Sequence, residues 1–289
     1  MTVIRRRLVP YFLLGPGLIW LILFFVVPMY FMARLSLEEG SLTEGFQFAW
    51  QFSNFTDSLS EFDTQFVRSF WYAGIATVLA LVIAYPLAYM IAFRAGRWKN
   101  ALLFAVIAPF FTTYLIRTLA WQTILNDTGV VVDTLKTLGL VASDGRVLDT
   151  SGSVIAGLTY NFLPFMILPI YASLERIDES LIEAARDLYA SAREAFWRVT
   201  LPISAPGIVA GTLLTFIPAV GDYINADFLG SQNQAMIGNV IQSRYLVVND
   251  YPSAAALSFV LMALILAVVV IYIRFAGSEA LMGEEARKA

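Results

Sequence analysis

Long apolar runs separated by shorter polar segments dominate this chain of 289 residues. A helix needs about 20 predominantly apolar residues to cross the hydrocarbon core of a bilayer. The pattern predicts six transmembrane helices, at residues 9–32, 69–93, 101–125, 154–174, 203–226 and 254–275. The fifth is the least regular, because Asp222, Tyr223 and Asn225 make its far end polar. The sequence shows no tandem repeat or flexible linker, so we expect a single membrane domain over residues 1–289.

The first apolar run begins directly after Arg5, Arg6 and Arg7 and continues to Met32. This run is longer than the roughly 7 to 15 residues of a signal-peptide core, and no A-x-A-like cleavage site follows it. We therefore expect an uncleaved first span.

Basic residues are concentrated in alternate segments between the predicted spans. They are Arg5, Arg6, Arg7, Arg94, Arg97, Lys99, Arg176, Arg186, Arg193, Arg198, Arg274, Arg287 and Lys288. The positive-inside rule therefore predicts that both termini and segment 175–202 lie in the cytoplasm. The opposite loops, 33–68, 126–153 and 227–253, contain many acids instead. These acids indicate either a solvated outer surface or a field that attracts a cation or a basic partner.

The composition narrows the possible functions. Hydrophobic residues make up 58% of the chain and charged residues 14%, whereas soluble domains contain about 25% charged residues. The chain has no Cys and no His, which excludes disulfides, thiolate metal sites and His general bases. We therefore expect no metal site. A net charge of −3 argues against nucleic acid as a partner, because phosphate binding needs a basic surface.

An amphipathic pattern occupies residues 178–202. Ser180 and Glu183 have the spacing of a capping box, which predicts a helix start, and Pro202 is predicted to end the pattern. The residues of one apolar stripe are Leu181, Ala185, Leu188, Ala192, Ala195, Phe196 and Val199. Such a helix can lie on the bilayer surface. Alternatively, the small residues Ala184 and Ala185 allow another surface to approach the backbone closely.

The same residues resemble the EAA loop of bacterial ABC-importer permeases. The signature of that loop is E-A-A, three residues, Gly, nine residues, an aliphatic residue, any residue and Leu-Pro. The matching residues are Glu183, Ala184, Ala185, Val199, Leu201 and Pro202. Tyr189 stands where the family usually has Gly, which leaves the depth and angle of docking open. We call residues 178–202 the EAA segment.

The resemblance extends over most of the chain. Leu14-Gly15-Pro16-Gly17 is similar to the start of such permeases. The stretches 216–223 and 236–239 resemble the polyamine (spermidine/putrescine) subgroup in particular. Permeases for iron, phosphonates and opines share similar stretches, so another small solute stays an alternative cargo.

This resemblance implies an all-α integral membrane protein of the type I (MetI-like) permease fold, with six transmembrane helices and a cytoplasmic coupling helix. The implied partners are a pair of ATPase subunits, a second and homologous permease subunit, and an extracytoplasmic solute-binding protein. The location would be the bacterial inner membrane. The chain has no G-x-x-x-x-G-K-[ST] loop, so we expect no cofactor here and ATP on a partner subunit. Glu183 is then a charged contact to the ATPase, and Ala184 and Ala185 pack against it.

Polar residues within predicted spans are costly in lipid and usually face a cavity or a partner. The candidates for a substrate pathway are Tyr114, Arg117, Trp121, Gln122, Tyr160, Asn161, Asp222, Tyr223, Asn225 and Asp227. Aromatic faces and carboxylates suit a polyamine cation, and Asp222 is the first candidate. Arg117 opposes a cation lining, so we expect it to pair with Asp222 or with a partner subunit. Each residue alone is also explained as an interfacial aromatic or an interhelical hydrogen bond.

Two other classes of function are weaker. An ion-coupled secondary transporter would need inverted repeats around a midplane site, and the sequence shows no such internal symmetry. Asp222 and Asp227 as catalytic carboxylates would need a His, a metal-ligand spacing or a Ser-centred motif nearby, and the sequence has none of these.

Overall fold

The computed structural model describes residues 14–139, 141–142 and 145–276. The basic residues Arg5, Arg6, Arg7, Arg287 and Lys288, the acid Asp144 and the start of the predicted first span lie outside the described residues. The described elements are α1 (Leu14–Leu35), β1 (Glu38–Ser41), β2 (Gly45–Phe48), α2 (Ser53–Glu61), α3 (Asp63–Phe93), α4 (Lys99–Ile107), α5 (Tyr114–Ile124), α6 (Val130–Thr137), α7 (Ser151–Leu174), α8 (Glu179–Asp187), α9 (Ala192–Val220), α10 (Ile224–Leu229), α11 (Ile237–Ser243) and α12 (Tyr251–Ala276).

In this part of the chain, α1, α3, α7, α9 and α12 are each long and apolar enough to cross a membrane. The six predicted spans therefore correspond to these five helices and a bent pair of shorter ones. The predicted ends at Phe93, Leu174 and Phe275 agree with the observed ones to within a residue, whereas α3, α7 and α12 begin three to six residues earlier than predicted, because hydropathy marks the apolar core of a helix and says little about its polar start.

The bent pair corrects the third predicted span, 101–125, which is not one straight helix. Helical turns over Gly96–Phe111 and helix α5 meet at an angle of 96°. Thr113 between them is extended, and its hydroxyl accepts a hydrogen bond from the Ile116 N–H, which caps the start of α5. Pro109, just before the bend, has no N–H to continue an α-helix. Apolar content alone cannot reveal such a break, because it is the same on both sides.

The fifth predicted span, 203–226, is displaced toward the EAA segment. Helix α9 begins at Ala192 and ends at Val220, and the polar residues that follow it start the separate helix α10. Pro202 does not end the helical pattern, which is a second correction. A π turn at Phe196–Thr200 precedes it, and this wider turn accommodates the missing N–H of the proline.

The chain forms two compact units. The first contains the described residues up to Asp63 together with Ile241–Ala263. Its β-hairpin, with Glu38 opposite Phe48, was not predicted from the sequence. Gly40 has φ of +126°, and a Cβ there would lie 2.1 Å from the Gly45 carbonyl oxygen, so only glycine fits this strand pair. The Asn54 amide joins α2 to the hairpin by donating to the Ser36 and Glu38 carbonyls, each at 3.0 Å.

The second unit contains Thr64–Val240 and the described residues from Leu264 onward. Its core includes a row of small residues on α3, Ala80, Ala84 and Ala88, which are fully buried at four-residue spacing. Larger apolar side chains of α7, among them Met166 and Ile170, belong to the same cluster. In lipid, helices associate through close packing, and small residues permit it.

Helices α7 and α9 approach each other closely at two glycines of α9. A Cβ on Gly207 would lie 2.6 Å from both the Pro169 carbonyl oxygen and the Ser173 Cβ. A Cβ on Gly211 would lie 3.0 Å from the Met166 carbonyl oxygen. The backbone of α7 therefore occupies the space that any other residue would need.

We expect Gly207→Ala to lower the free energy of unfolding by about 1–3 kcal/mol, because the added methyl group meets backbone atoms that cannot move away without shifting a helix. The measurement is the melting temperature of the purified protein in detergent. Gly74→Ala on α3 is the matched control, since a Cβ there has no neighbour within 4 Å. Equal melting temperatures for the two variants would contradict the close approach.

Candidate functional site

The EAA segment folds as two helices joined by a turn. Asp178 caps α8, because its Oδ1 accepts the Ser180 N–H at 3.0 Å, and this bond lowers the pKa of the Asp178 carboxyl. The predicted capping box at Ser180 and Glu183 is wrong in position. The box forms at the start of α9, where Glu194 Oε2 accepts the Ser191 N–H at 2.9 Å and Ser191 Oγ accepts the Glu194 N–H.

Tyr189 makes the turn between α8 and α9 in the conformation that glycine favours. Its φ is +63°, in the left-handed region. The Ala190 N–H donates to the Ala185 carbonyl at 3.0 Å and the Tyr189 N–H to the Arg186 carbonyl at 2.9 Å, which is a Schellman motif. A left-handed residue with a Cβ costs roughly 1–2 kcal/mol. The turn expected of Gly at this position is therefore retained, at a cost in backbone strain.

This turn corrects the prediction of one apolar stripe along the whole segment. Leu188 is 82% exposed and Tyr189 97% exposed, whereas Ala195 in α9 is buried. On α8 the stripe residues Leu181 and Leu188 are exposed, and the left-handed Tyr189 then changes the direction of the chain, so the residues before and after the turn do not form one buried face. The periodic pattern of apolar residues does not reveal this turn, because a stripe is inferred on the assumption that the helix is uninterrupted.

The signature residues lie on both sides of the turn. Glu183 and Ala184 are exposed on α8, and Ala185 is half-buried. Pro202 on α9 is exposed, and the other two signature positions, Val199 and Leu201, are half-buried. The first part of the signature is thus open to a partner, and its role in docking stays a prediction.

Apolar contacts attach the EAA segment to the core of the second unit. Ile177, just before it, is buried in the cluster of α3 and α7, and Ile182 of α8 packs against the same cluster. The Phe196 ring meets those of Tyr85 and Tyr89 on α3 edge-on, at centroid distances of 5.7 and 6.0 Å. The EAA segment is therefore packed directly against α3 and α7.

Two polar contacts connect the helices on either side of the EAA segment. Lys99 Nζ and Glu175 Oε1 are 2.7 Å apart, which ties the start of α4 to the end of α7 and lowers the pKa of the Glu175 carboxyl. The hydroxyls of Tyr85 and Ser204 lie 2.9 Å apart and connect α3 with α9.

Five of the polar side chains form a second candidate site, which we call the polar cluster: Tyr114, Thr118, Asn161, Asp222 and Asn225. Asp222 Oδ2 accepts the Tyr114 hydroxyl at 2.6 Å. Asp222 Oδ1 accepts the backbone N–H and the side-chain amide of Asn225 at 2.8 and 3.1 Å. Asn161 Nδ2 donates to Asn225 Oδ1 at 3.0 Å and to Thr118 Oγ1 at 3.2 Å. The cluster joins α5, α7 and α10.

Both oxygens of Asp222 are thus engaged, and the side chain is buried. Its contacts cap α10 and connect helices, so this conformation leaves no free carboxylate oxygen for a cation. Tyr114, Asn161 and Asn225 therefore form hydrogen bonds between helices, which is one of the two explanations that the sequence left open. A role for these residues in a substrate pathway stays a prediction, and it requires another conformation of Tyr114 and Asp222.

The remaining pathway candidates lie outside this cluster. Tyr223 and Asp227 are exposed, and Asp227 Oδ1 accepts the Asn239 side-chain amide at 2.5 Å. The rings of Trp121 and Tyr160 are in contact at a centroid distance of 5.4 Å, and Gln122 beside them is half-buried.

Arg117 does not form the predicted pair with Asp222. Its guanidinium carbon lies 5.6 Å from the Phe110 ring centroid and 5.5 Å from that of Tyr114. The side chain is buried, and within the described residues its Nε and Nη1 have no hydrogen-bond acceptor. The aromatic faces provide the attraction that a carboxylate was expected to supply.

The sequence reasoning missed Thr118. Threonine in an apolar helix usually bonds to its own backbone, and the Thr118 hydroxyl also donates to the Tyr114 carbonyl at 3.2 Å. Nothing in the sequence indicates that it also accepts from Asn161. Across the described ranges, no group of three or more acidic side chains could hold a metal ion.

Comparison with known proteins relates this chain to membrane transport proteins. Residues 84–277 match the family described as the binding-protein-dependent transport system inner membrane component. The spermidine/putrescine transport system permease protein PotB of Haemophilus influenzae is 37% identical over 256 residues, which are 88% of this chain and 90% of that protein. PotB of Escherichia coli is 36% identical over 243 residues, 84% of this chain and 88% of that protein.

A solved structure of a bacterial ABC transporter involved in the import of the acidic polysaccharide alginate contains a similar chain. The TM-score is 0.69 at 21% sequence identity, and the match covers 94% of this chain and 96% of that chain. This likeness shows a common fold.

We expect Tyr114→Phe to lower the free energy of unfolding by about 1–3 kcal/mol, because Asp222 Oδ2 loses its hydrogen-bond donor while it stays buried. Thermal unfolding in detergent measures this loss. Tyr223→Phe removes the same hydroxyl from an exposed side chain and serves as the control. If both variants unfold at the same temperature, the cluster does not stabilise the fold.

Proposed function

The chain belongs to the family of binding-protein-dependent transport system inner membrane components, and from this membership we propose how it works as the permease of an ABC importer. It is a multi-pass membrane protein of the MetI-like fold. We propose that it forms part of the pore, that a homologous permease subunit forms the rest, and that an extracytoplasmic binding protein delivers the solute.

The proposed cargo is a polyamine, spermidine or putrescine. The observation that carries this proposal is the identity of 36–37% with two permeases named for these solutes, over 84–88% of the chain. The fold itself does not select a cargo, because the alginate transporter shares it. The cargo is tested by purifying the binding protein that associates with this transporter and measuring which solutes raise its melting temperature. If iron or a phosphonate stabilises the binding protein, and spermidine and putrescine do not, the proposed cargo is wrong and the permease assignment still holds.

We propose that the EAA segment lies in the cytoplasm and docks on an ATPase subunit. Arg176, Arg186, Arg193 and Arg198 in and beside it support this orientation by the positive-inside rule, which also places both termini in the cytoplasm. ATP binds to the ATPase subunits and not to this chain, whose sequence has no P-loop.

The contacts of the segment suggest how ATP binding reaches the pore. When the ATPase subunits close on ATP, they displace α8 and the start of α9. Ile182 and Phe196 pass the displacement to α3 and α7, because they pack on these helices. The transporter then exchanges between inward-open and outward-open states, and ATP shifts the population of states by binding one of them more tightly.

We expect Glu183→Lys to abolish uptake and to uncouple ATP hydrolysis from transport, because it reverses the charge of an exposed side chain at the proposed ATPase contact. Uptake of radiolabelled spermidine in cells and ATPase activity in nanodiscs measure the two effects. Glu44→Lys makes the same change at an exposed position in an outer loop and should transport normally, provided that both variants reach the membrane in equal amounts. Normal uptake by Glu183→Lys refutes the role of Glu183.

We propose that Asp222, Tyr223, Asn225 and Asp227, with Tyr114, Trp121 and Tyr160, line the pathway when Tyr114 releases the Asp222 carboxylate. Asp222→Asn keeps an acceptor for the cap of α10 but removes the charge. We expect about tenfold lower uptake of spermidine at low concentration, the effect of losing about 1.4 kcal/mol of cation binding. Unchanged spermidine transport would remove Asp222 from the pathway.

A further inference from the structure

The turn of the EAA segment leaves two large apolar side chains exposed. Leu188 and Tyr189 are among the most exposed large apolar residues described, and Leu181, about two helical turns before them on α8, is half-exposed. Exposed apolar groups that lie together indicate an interaction surface. Tyrosine is also one of the residues that most often anchor protein interfaces, because it buries a rigid ring and a hydroxyl at a low cost in conformational entropy.

The backbone at Tyr189 supports a role beyond the turn itself. A φ of +63° is easy for glycine and unfavourable for tyrosine, so the turn alone does not explain a tyrosine at this position. Strained residues of this kind are concentrated at active sites, ligand clamps and switch regions. Here the Schellman hydrogen bonds hold the backbone while the ring stays free.

The charges beside the turn define the partner further. Glu179, Glu183 and Asp187 follow each other at four-residue spacing on α8 and are exposed. Like charges at this spacing repel each other, and no ion pair within the described part of the chain relieves them. Arg186 is the one basic residue of α8, so the helix carries three acids against one arginine and stays negative. A basic partner surface would relieve the repulsion, whereas a bilayer with anionic headgroups would increase it. The surface therefore fits a protein partner better than a membrane.

We propose that Tyr189, with Leu188 beside it, inserts into an apolar pocket with a basic rim on the ATPase subunit, and that Tyr189 determines which ATPase this permease accepts. This inference rests on the proposed docking of the EAA segment. It adds a specific anchor at the position where the family usually has Gly and therefore no side chain.

Tyr189→Gly tests the anchor, because glycine adopts the turn without strain and only the ring is lost. The probe is the ATPase subunit that copurifies with the wild-type transporter, and the measurement is its Kd for the permease pair in nanodiscs. We expect Tyr189→Gly to raise this Kd about tenfold or more, as truncation of an interface anchor does. Tyr189→Phe keeps the ring and should bind within about twofold of wild type.

A thiol at the same position gives a second, independent measurement. The chain has no cysteine, so Tyr189→Cys introduces the only thiol. We expect a water-soluble maleimide to label this thiol when the permease pair is free of ATPase subunits. Binding of the ATPase subunit should slow the labelling at least tenfold. Equal labelling with and without the ATPase subunit overturns the inference.

The outcomes separate this inference from the proposed function. If Tyr189→Gly binds the ATPase subunit as wild type does while Glu183→Lys does not, the anchor is wrong and the docking of the segment stands. If no ATPase copurifies with the wild-type chain, or if neither substitution changes the Kd, the docking itself is wrong and the anchor falls with it.

Discussion

The structure depends on how closely α7 and α9 approach each other. Lipid offers no hydrophobic drive for helices to associate, so their contact must come from packing at short range. Gly207 and Gly211 remove the side chains that would separate the two helices, and the α7 backbone fills the space. Ala80, Ala84 and Ala88 play the same part on α3. Because the EAA segment is continuous with α9 and rests on α3 and α7, its position relative to the pore follows from these small residues.

The number and approximate positions of the membrane-spanning segments could be predicted from the sequence. The free energy of moving a segment into lipid depends on its composition, which the sequence gives directly. The break between Phe111 and Tyr114 and the passage of α9 through Pro202 could not. Both are matters of backbone path, and they depend on a threonine cap and a π turn that leave hydropathy unchanged. The hairpin after α1 was also missed, because it contains polar residues and glycines between two runs of stronger signal.

The candidate sites show the same division. The EAA signature is a pattern of residue types at fixed spacing, so it could be found without coordinates. The polar cluster could be found only as a set of candidates. Asp222 bonds to Asn225, three residues away, but also to Tyr114, more than 100 positions away, and the sequence does not show that such distant residues meet. Tyr189 shows why a mismatch to a signature needs the structure. The residue differs from glycine, yet its backbone does what glycine would do, and only the side chain is new.

The continuity of α9 has a mechanical consequence. Its 29 residues form one continuous helix from the turn after Tyr189 to Val220, a rod about 43 Å long at 1.5 Å per residue. Tilting such a rod by about 10° about one end moves the other end by roughly 7 Å, more than the height of a helical turn. A small rotation at the EAA end of α9 would therefore move its far end by more than the height of a helical turn, with no need for any part of the rod to unfold.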